Sequence, residues 1–380
     1  MGSLSGYRVI ELAGIGPAPM GGMILADMGA EVIRIERPGA ADPKVAEPVS
    51  GRNKKSVVLD LKQPAGLDAL MTLVEQADAL IDPYRPGVCE KLGFGPDACL
   101  GRNPRLVFAR MTGWGQTGPL SQAAGHDLNY IAITGALHAI GRRGERPVVP
   151  LNLVGDFGGG GMLLVTGILA ALLEASKSGQ GQVVDVAMVD GTAQLMWMMQ
   201  GFEQIGAWNA ESREANLLDG AAHFYDTYEC ADGKYVAIGA IEPQFYAELL
   251  ARAGVTDAQF QAQHDHAQWP ELKEKLAAVL KTKTRDEWDA IMAGSDACFA
   301  PVLTMVEAPV YAANSERSVY SQVDGLIHPS PAPRFDRTPS EIRHGTRSLG
   351  ADTVAVLEGA GVSESELAAL LETGAAVQGS

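Results

Sequence analysis

Short apolar runs alternate with helically spaced apolar residues along the first half of the chain. The runs at 7–12, 31–35, 56–61, 79–81 and 106–111 read as strands. Between them, 17–28 and 64–77 place apolar residues at i, i+3 and i+4, the spacing of a helix with one buried face. Strands that alternate with helices form βαβ units, and these build a mostly parallel sheet. The expected fold class is therefore α/β.

The segment 157–177 reads as one long helix that opens on Gly158, Gly159, Gly160 and Gly161. Glycine weakens a helix, so four in a row point to close approach of the backbone to a ligand or to another chain. A strand at 183–187 and an apolar helix at 188–205 follow. From Asp226 the texture changes. Residues 227–230 and 234–238 flank Asp232-Gly233, a strong hairpin signal. Helices are expected at 243–253 and 270–280, and Thr284-Arg285-Asp286-Glu287 is a capping box that opens another. Residues 225–300 thus read as a smaller α+β domain. A returning strand at 298–304, a Pro-rich connector at 329–333 and a last helix at 367–371, capped by Ser363-Glu364-Ser365-Glu366, come after it.

Composition narrows what such a fold can do. The 380 residues are 46% hydrophobic and 20% charged, ample for a sizeable core. A net charge of −16 argues against nucleic acid as a partner, which needs a basic surface, but leaves room for a small anionic ligand. Cys89, Cys99, Cys230 and Cys298 make no CxxC, so neither disulfides nor a zinc site is expected and a reducing compartment fits. No signal peptide is expected at the start and no peroxisomal address at the end; the apolar stretch 162–173 is expected to be too short for a bilayer. The default expectation is a cytoplasmic enzyme without membrane insertion.

Two familiar patterns fail on their spacing. Gly14-Ile15-Gly16 after a strand, with Glu36 ending the next, is part of a dinucleotide fingerprint, but Pro19 stands where the third glycine belongs. A tight strand-to-helix turn explains it as well, and a nicotinamide-dependent oxidoreductase stays as a distant alternative. Asp156-Phe157-Gly158 resembles a kinase magnesium motif without the other kinase elements.

Gly125-His126-Asp127-Leu128-Asn129-Tyr130 puts an imidazole and a carboxylate at a helix start, where backbone N–H groups stabilise negative charge such as an enolate oxygen. Simple N-capping is the alternative. Asn152-Leu153-Val154-Gly155-Asp156 puts a second carboxylate before the glycine run. Basic residues recur in loops expected after strands: Arg37, then Arg52, Lys54 and Lys55, then Lys62, Arg85 and Lys91. Loops at the carboxyl ends of parallel strands bind ligands, and several cations there would suit a ligand with several phosphates.

On these residues the sequence resembles the family III CoA-transferase superfamily, and within it the α-methylacyl-CoA racemases. The resemblance runs through LSGYRVIELAGIGPAP (4–19), GAEVIRIERP (29–38), YRPGV (84–88), MTGWGQTGP (111–119), GHDLNY (125–130), LVGDFGGGG (153–161), VDVAMVDG (184–191) and IEPQFY (241–246). It implies a large Rossmann-like CoA-binding domain built from both chain ends, 1–190 and 310–380, a linker helix region at 191–224, the small domain at 225–300 and a return linker at 301–309. It also implies an interlocked homodimer.

Transferases of this superfamily use the aspartate matching Asp156 as a nucleophile; racemases keep it and add a histidine, matched here by His126. The resemblance therefore implies racemisation at the α-carbon of an acyl-CoA, with His126 and Asp156 as acid/base groups on opposite faces; a CoA-transferase working through Asp156 is the alternative. It further implies that Glu242 of the partner subunit holds the imidazole, that Asn152 hydrogen-bonds Asp156, and that the enolate oxygen lies near the Asp127 backbone N–H. The implied coenzyme A contacts are Arg37, then Leu59, Asp60, Leu61 and Lys62, then Pro83, Tyr84 and Arg85. Lys91 and the run Gly125, His126, Asp127, Leu128, Asn129 and Tyr130 complete them. Lys91 stands where the family has arginine and Pro83 where it has glycine. No metal, nicotinamide or flavin is required, coenzyme A being part of the substrate. Met188, Met196, Met198 and Met199 are candidates for an apolar floor under the acyl chain, unless they only pack the core.

Overall fold

Val9 and Ile10, like Val32 and Ile33, are neighbours in the chain that belong to different apolar cores, because successive strand residues point to opposite faces. Both faces of the sheet are therefore covered, as a parallel sheet requires. The computed structural model describes residues 2–379. Its strands are β1 (Arg8–Leu12), β2 (Glu31–Glu36), β3 (Lys54–Leu59), β4 (Ala79–Asp82), β5 (Val107–Thr112) and β6 (Gln182–Ala187). They hydrogen-bond in the order β3-β2-β1-β4-β5-β6, all parallel, and Ala376–Val377 adds an antiparallel edge beside β3.

One core lies between the sheet and Pro64–Val74 with the C-terminal helices Thr353–Gly359 and Glu364–Glu372, through residues such as Ile33, Leu70, Leu73, Leu357 and Leu370. The other lies under α1 (Pro17–Asp27) and Met162–Ser178, through Leu25, Val107, Leu164 and Ile168. Each such fully buried Leu or Ile contributes about 1.5–3 kcal/mol.

The chain divides into two compact units. The first comprises Met1–Thr134, Leu151–Leu195 and Ala313–Ser380; the second comprises Gly135–Pro150 and Met196–Ala312. Residues 225–300 lie wholly inside the second. Its antiparallel sheet of Tyr225–Glu229, Tyr235–Gly239 and Phe299–Pro301 turns at Asp232-Gly233. Pro243–Ala253, Trp269–Leu280 and Arg285–Met292 pack on it around Phe224, Leu249, Trp269, Leu276 and Trp288. Thr284 closes its capping box with Glu287 as expected.

Four expectations need correction. β3 begins at Lys54, not 56, because the Lys54 ammonium is wholly buried against Glu11 Oε2 at 2.6 Å and the Pro19 carbonyl at 2.8 Å. A lysine that looks like loop is strand here. The helix expected at 157–177 starts earlier: Leu153–Gly161 is π-helical and runs directly into Met162–Ser178. That makes 26 helical residues, long and apolar enough by length and composition to cross a bilayer, contrary to the expectation from 162–173. The apolar side chains Leu164, Val165, Ile168 and Leu172 are instead part of the core over the sheet. The helix expected at 188–205 breaks at Met196 into Met188–Leu195 and Trp197–Gln204. Finally, Tyr320–Val323 and Leu326–Pro329 form a hairpin on Asp324-Gly325, both with positive φ (51° and 81°), a turn signal that the sequence reading left unused.

Candidate active site

The strand order reverses between β1 and β4, so the loops that leave their carboxyl ends diverge and open a crevice between them. In the first unit a cavity of about 510 Å³ occupies that crevice. Ile15, Gly16, Pro17 and Ala18 line it after β1, Pro83 to Pro86 after β4, Met111 to Trp114 at the end of β5, and Met188 after β6. Gly125, His126, Tyr130, Asn152 and Asp156 complete the wall.

Local sequence dictates each of these turns. A Cβ on Gly14 would meet the Pro83 ring at 2.6 Å, so the first glycine of the apparent fingerprint is there to let two loops touch. Gly16 has φ +68°, and a Cβ on it would lie 3.2 Å from Asp156 Oδ2. The second glycine keeps the space before the carboxylate clear. Glu36, which a ribose would need, is 2% exposed, accepts the Ser56 hydroxyl and lies 3.3 Å from Arg34. The pattern belongs to this crevice and its acid is spent inside the sheet. After β4, Asp82 Oδ1 accepts the Tyr84 N–H at 2.9 Å and turns the chain toward the cavity. After β5, Thr112 Oγ1 accepts the Gly115 N–H at 3.0 Å, and Trp114 meets Tyr130 edge to face at 4.7 Å.

His126 is the N-cap of Asp127–Ile133, its backbone N–H donating to Asn129 Oδ1 at 3.1 Å, while the Tyr130 hydroxyl donates to the Gly125 carbonyl. Its ring is exposed in the cavity wall. Asp156 sits within the π-helical segment rather than before a helix. Wide π turns recur at functional sites because they displace one residue from helical register. The glycine run explains how this turn fits. A Cβ on Gly159 would meet the Thr192 backbone nitrogen at 2.7 Å and one on Gly191 the Gly159 carbonyl oxygen at 1.9 Å, so Leu153–Gly161 crosses Met188–Leu195 at backbone contact.

Asn152 Nδ2 donates to Asp156 Oδ2 at 3.1 Å, and the Asp156 peptide N–H donates to Asp127 Oδ1 at 2.7 Å. Burial holds the Asp156 carboxyl above the ordinary carboxylate range; the Asn152 amide opposes this, the Asp127 charge adds to it and His126 opposes it. An imidazole and a half-buried carboxyl thus face one space. That suits general acid/base chemistry on a small carbon acid.

The remaining candidate residues are more scattered. Arg37, Lys62 and Lys91 are exposed and Asp60 and Leu61 half-buried, none of them in the cavity wall; Arg37 and Asp60 to Lys62 lie on loops after β2 and β3, but Lys91, expected in a loop, is in the last turn of the helix Val88–Leu92. Leu59 is buried in the core, so only its backbone can meet a ligand. Asp127 is buried behind the wall, and Leu128 and Asn129 are exposed outside it. Arg52, Lys54 and Lys55 are at the amino end of β3 and bound to Asp27, Glu11 and Glu31 at 2.6 Å each, which removes them from any phosphate site at the carboxyl ends. Glu242 belongs to the second unit, exposed before Pro243–Ala253. So do Met196, Met198 and Met199, whereas Met188 lines the cavity. Sequence reasoning missed Ile15, Pro17, Thr112 and Trp114; the signal available was their place just after β1 and at the end of β5. Among the described residues, no cluster of His, Cys, Asp and Glu could hold a metal ion.

Residues 4–353 match the sequence profile of CoA-transferase family III. The chain is 46% identical over 367 residues to the alpha-methylacyl-CoA racemase of Mus musculus, covering 96% of this chain and 95% of the relative. It is 44% identical over 368 residues to that of Homo sapiens, with the same coverage. The crystal structure of a CaiB/BaiF family protein from Brucella suis superposes with a TM-score of 0.82 over 94% of this chain and 99% of the other, at 23% identity, a likeness of fold.

Proposed function

The chain belongs to CoA-transferase family III, and we propose that it is an α-methylacyl-CoA racemase, interconverting (2R)- and (2S)-2-methylacyl-CoA thioesters. The observation that carries this reading is that His126 and Asp156 line one cavity.

A hydrogen next to a thioester carbonyl is very weakly acidic. Its removal needs a close base and stabilisation of the enolate, and inversion needs proton delivery from the other face. In one direction His126 takes the proton and protonated Asp156 returns one; in the other direction the roles exchange. Each positioned proton transfer is worth ~10²–10⁴-fold. The enolate oxygen faces the first N–H groups of Asp127–Ile133, which have no acceptor within the helix. Asn152 orients Asp156, and Glu242 of the partner subunit orients His126 in an interlocked homodimer whose large Rossmann-like domain carries both chain ends. Coenzyme A runs over Arg37, the loop 59–62, Tyr84, Arg85 and Lys91 toward Gly125–Tyr130, and Met188 borders the acyl chain. The chemistry needs no metal, nicotinamide or flavin. All four cysteines are free, which fits the reducing cytoplasm.

The test is incubation of one enantiomer of a 2-methylacyl-CoA in D₂O without any acceptor acid. Deuterium at the α-carbon with loss of optical purity is expected. Absence of exchange together with acceptor-dependent CoA transfer would replace the racemase by a transferase acting through Asp156.

A further inference from the structure

Asp127 is 5% exposed, yet among the described residues it forms no ion pair. Its Oδ1 accepts the Asp156 peptide N–H at 2.7 Å across 29 residues of chain, and its Oδ2 has no hydrogen-bond partner. Burying a carboxylate with one oxygen unsatisfied costs a few kcal/mol, so a capping role alone accounts poorly for it. The approach is also closely fitted from the other side. A Cβ on Gly155 would lie 2.7 Å from the same Oδ1 and 3.1 Å from Ile131, so only glycine lets the π-helical segment come this near.

We propose that Asp127 is a positioning residue, a strut from the helix start that carries His126 to the peptide of Asp156, fixing the separation of the two acid/base groups. The proposal rests on the racemase reading above. One end of the strut is adjacent in sequence to the imidazole, and the other grips the backbone from which the second group projects. The wide π turn supplies the peptide N–H that the strut holds, since it lies in the first turn of that segment. The same unpaired charge acts on the groups it connects. Asp156 is faced by Asn152, Asp127 and His126, and the nearby Tyr130 feels Asp156, Arg85 and Asp127. Among these, Asp127 opposes ionisation of Asp156, so removing its charge eases that ionisation.

Exchange of α-hydrogen for deuterium from each enantiomer is measured for wild type, Asp127→Asn and Asp127→Ala, with melting curves for all three. Exchange by the wild type establishes the activity first; its absence sinks the racemase reading and leaves the strut without an object. Given that exchange, Asp127→Ala is expected to lose about 100-fold in kcat with KM within threefold, since a displacement near 1 Å is enough for that. Asp127→Asn keeps an acceptor for the Asp156 N–H and is expected to keep at least a tenth of kcat. Its pH profile is expected to move to lower pH, in the acid limb where Asp156 is the base and in the alkaline limb where it is the acid. Wild-type kcat in Asp127→Ala overturns the proposal, and so does an unmoved profile in Asp127→Asn. If Asp127→Ala does not fold, the profile of Asp127→Asn decides alone.

Discussion

Gly16 faces the carboxylate of Asp156 so closely that a single added methyl group would come within 3.2 Å of Oδ2. Its φ of +68° combined with ψ of −114° is a conformation in which side chains are strained in any case. Gly16→Ala is therefore expected to lose about tenfold or more in kcat/KM through a displaced carboxylate, and about 1–3 kcal/mol of stability through backbone strain. Steady-state kinetics and urea denaturation measure the two separately. Wild-type values for both would show that the space before Asp156 has no role.

His126→Ala and Asp156→Ala each remove one of the two groups proposed to work on opposite faces of the α-carbon. Each is expected to slow deuterium exchange from one enantiomer by ~10²–10⁴-fold more than from the other, with the preference reversed between the two variants. Equal, mild losses from both enantiomers would mean that the residues only hold the ligand.

Asp156 also weakens the fold that holds it. Its carboxyl is raised in the folded protein, chiefly by burial. The protonated form is thus the one that folding favours: that stability is fully present below the unfolded-state pKa of ~3.9 and is lost as pH rises through the folded-state value. Asp156→Asn is expected to melt higher than wild type at pH 7 and to lose that advantage as the pH falls toward 4. Calorimetry at the two pH values checks this, and an advantage that grows on acidification would reverse the sign.

Lys54 and Glu11 are both essentially inaccessible, 2.6 Å apart under the start of α1, where the Lys54 ammonium also holds the Pro19 carbonyl. Lys54→Met leaves Glu11 buried without its closest counter-charge and is expected to cost about 3–5 kcal/mol in urea denaturation. Lys54→Met with Glu11→Gln is expected to recover part of the loss. No recovery would mean that the lysine's packing, not its charge, is what matters.

Where a residue's neighbours in sequence are also its neighbours in space, the fold was legible. Apolar strand residues such as Val9, Ile10, Val32 and Ile33 announced the sheet, and Thr284 with Glu287 announced a helix start. β3 was displaced because Lys54 and Lys55 look like loop until Glu11 and Glu31, which are distant in sequence, are seen to neutralise them. The glycine run was read as close approach to a ligand or another chain, whereas the segment it meets, around Gly191, is part of the same chain 30 residues or more away, a contact that no local spacing marks. His126, Asp156 and Asn152 were singled out from sequence. The bond from Asp156 to the Asp127 side chain was not, since nothing in the spacing of 127 and 156 marks a contact. Trp114 and Thr112 were passed over for a simpler reason: they carry no acid or base, and only the strand order brings the ends of β1, β4 and β5 to one crevice.

The far border of the sheet has a separate meaning. β3 would be a bare margin of unpaired peptide groups, but Ala376–Val377 pairs with its end, Ser56 bonds Asp352 and Gly350, and Val58 N–H donates to Thr353 Oγ1. None of these residues lines the cavity. The C-terminal tail thus works as a selvedge: it denies a strand of another molecule the template on which to grow. A chain cut before Gly350 would keep every cavity-lining residue but lose Leu357 and Leu370 from the core along with this border, and is expected to aggregate.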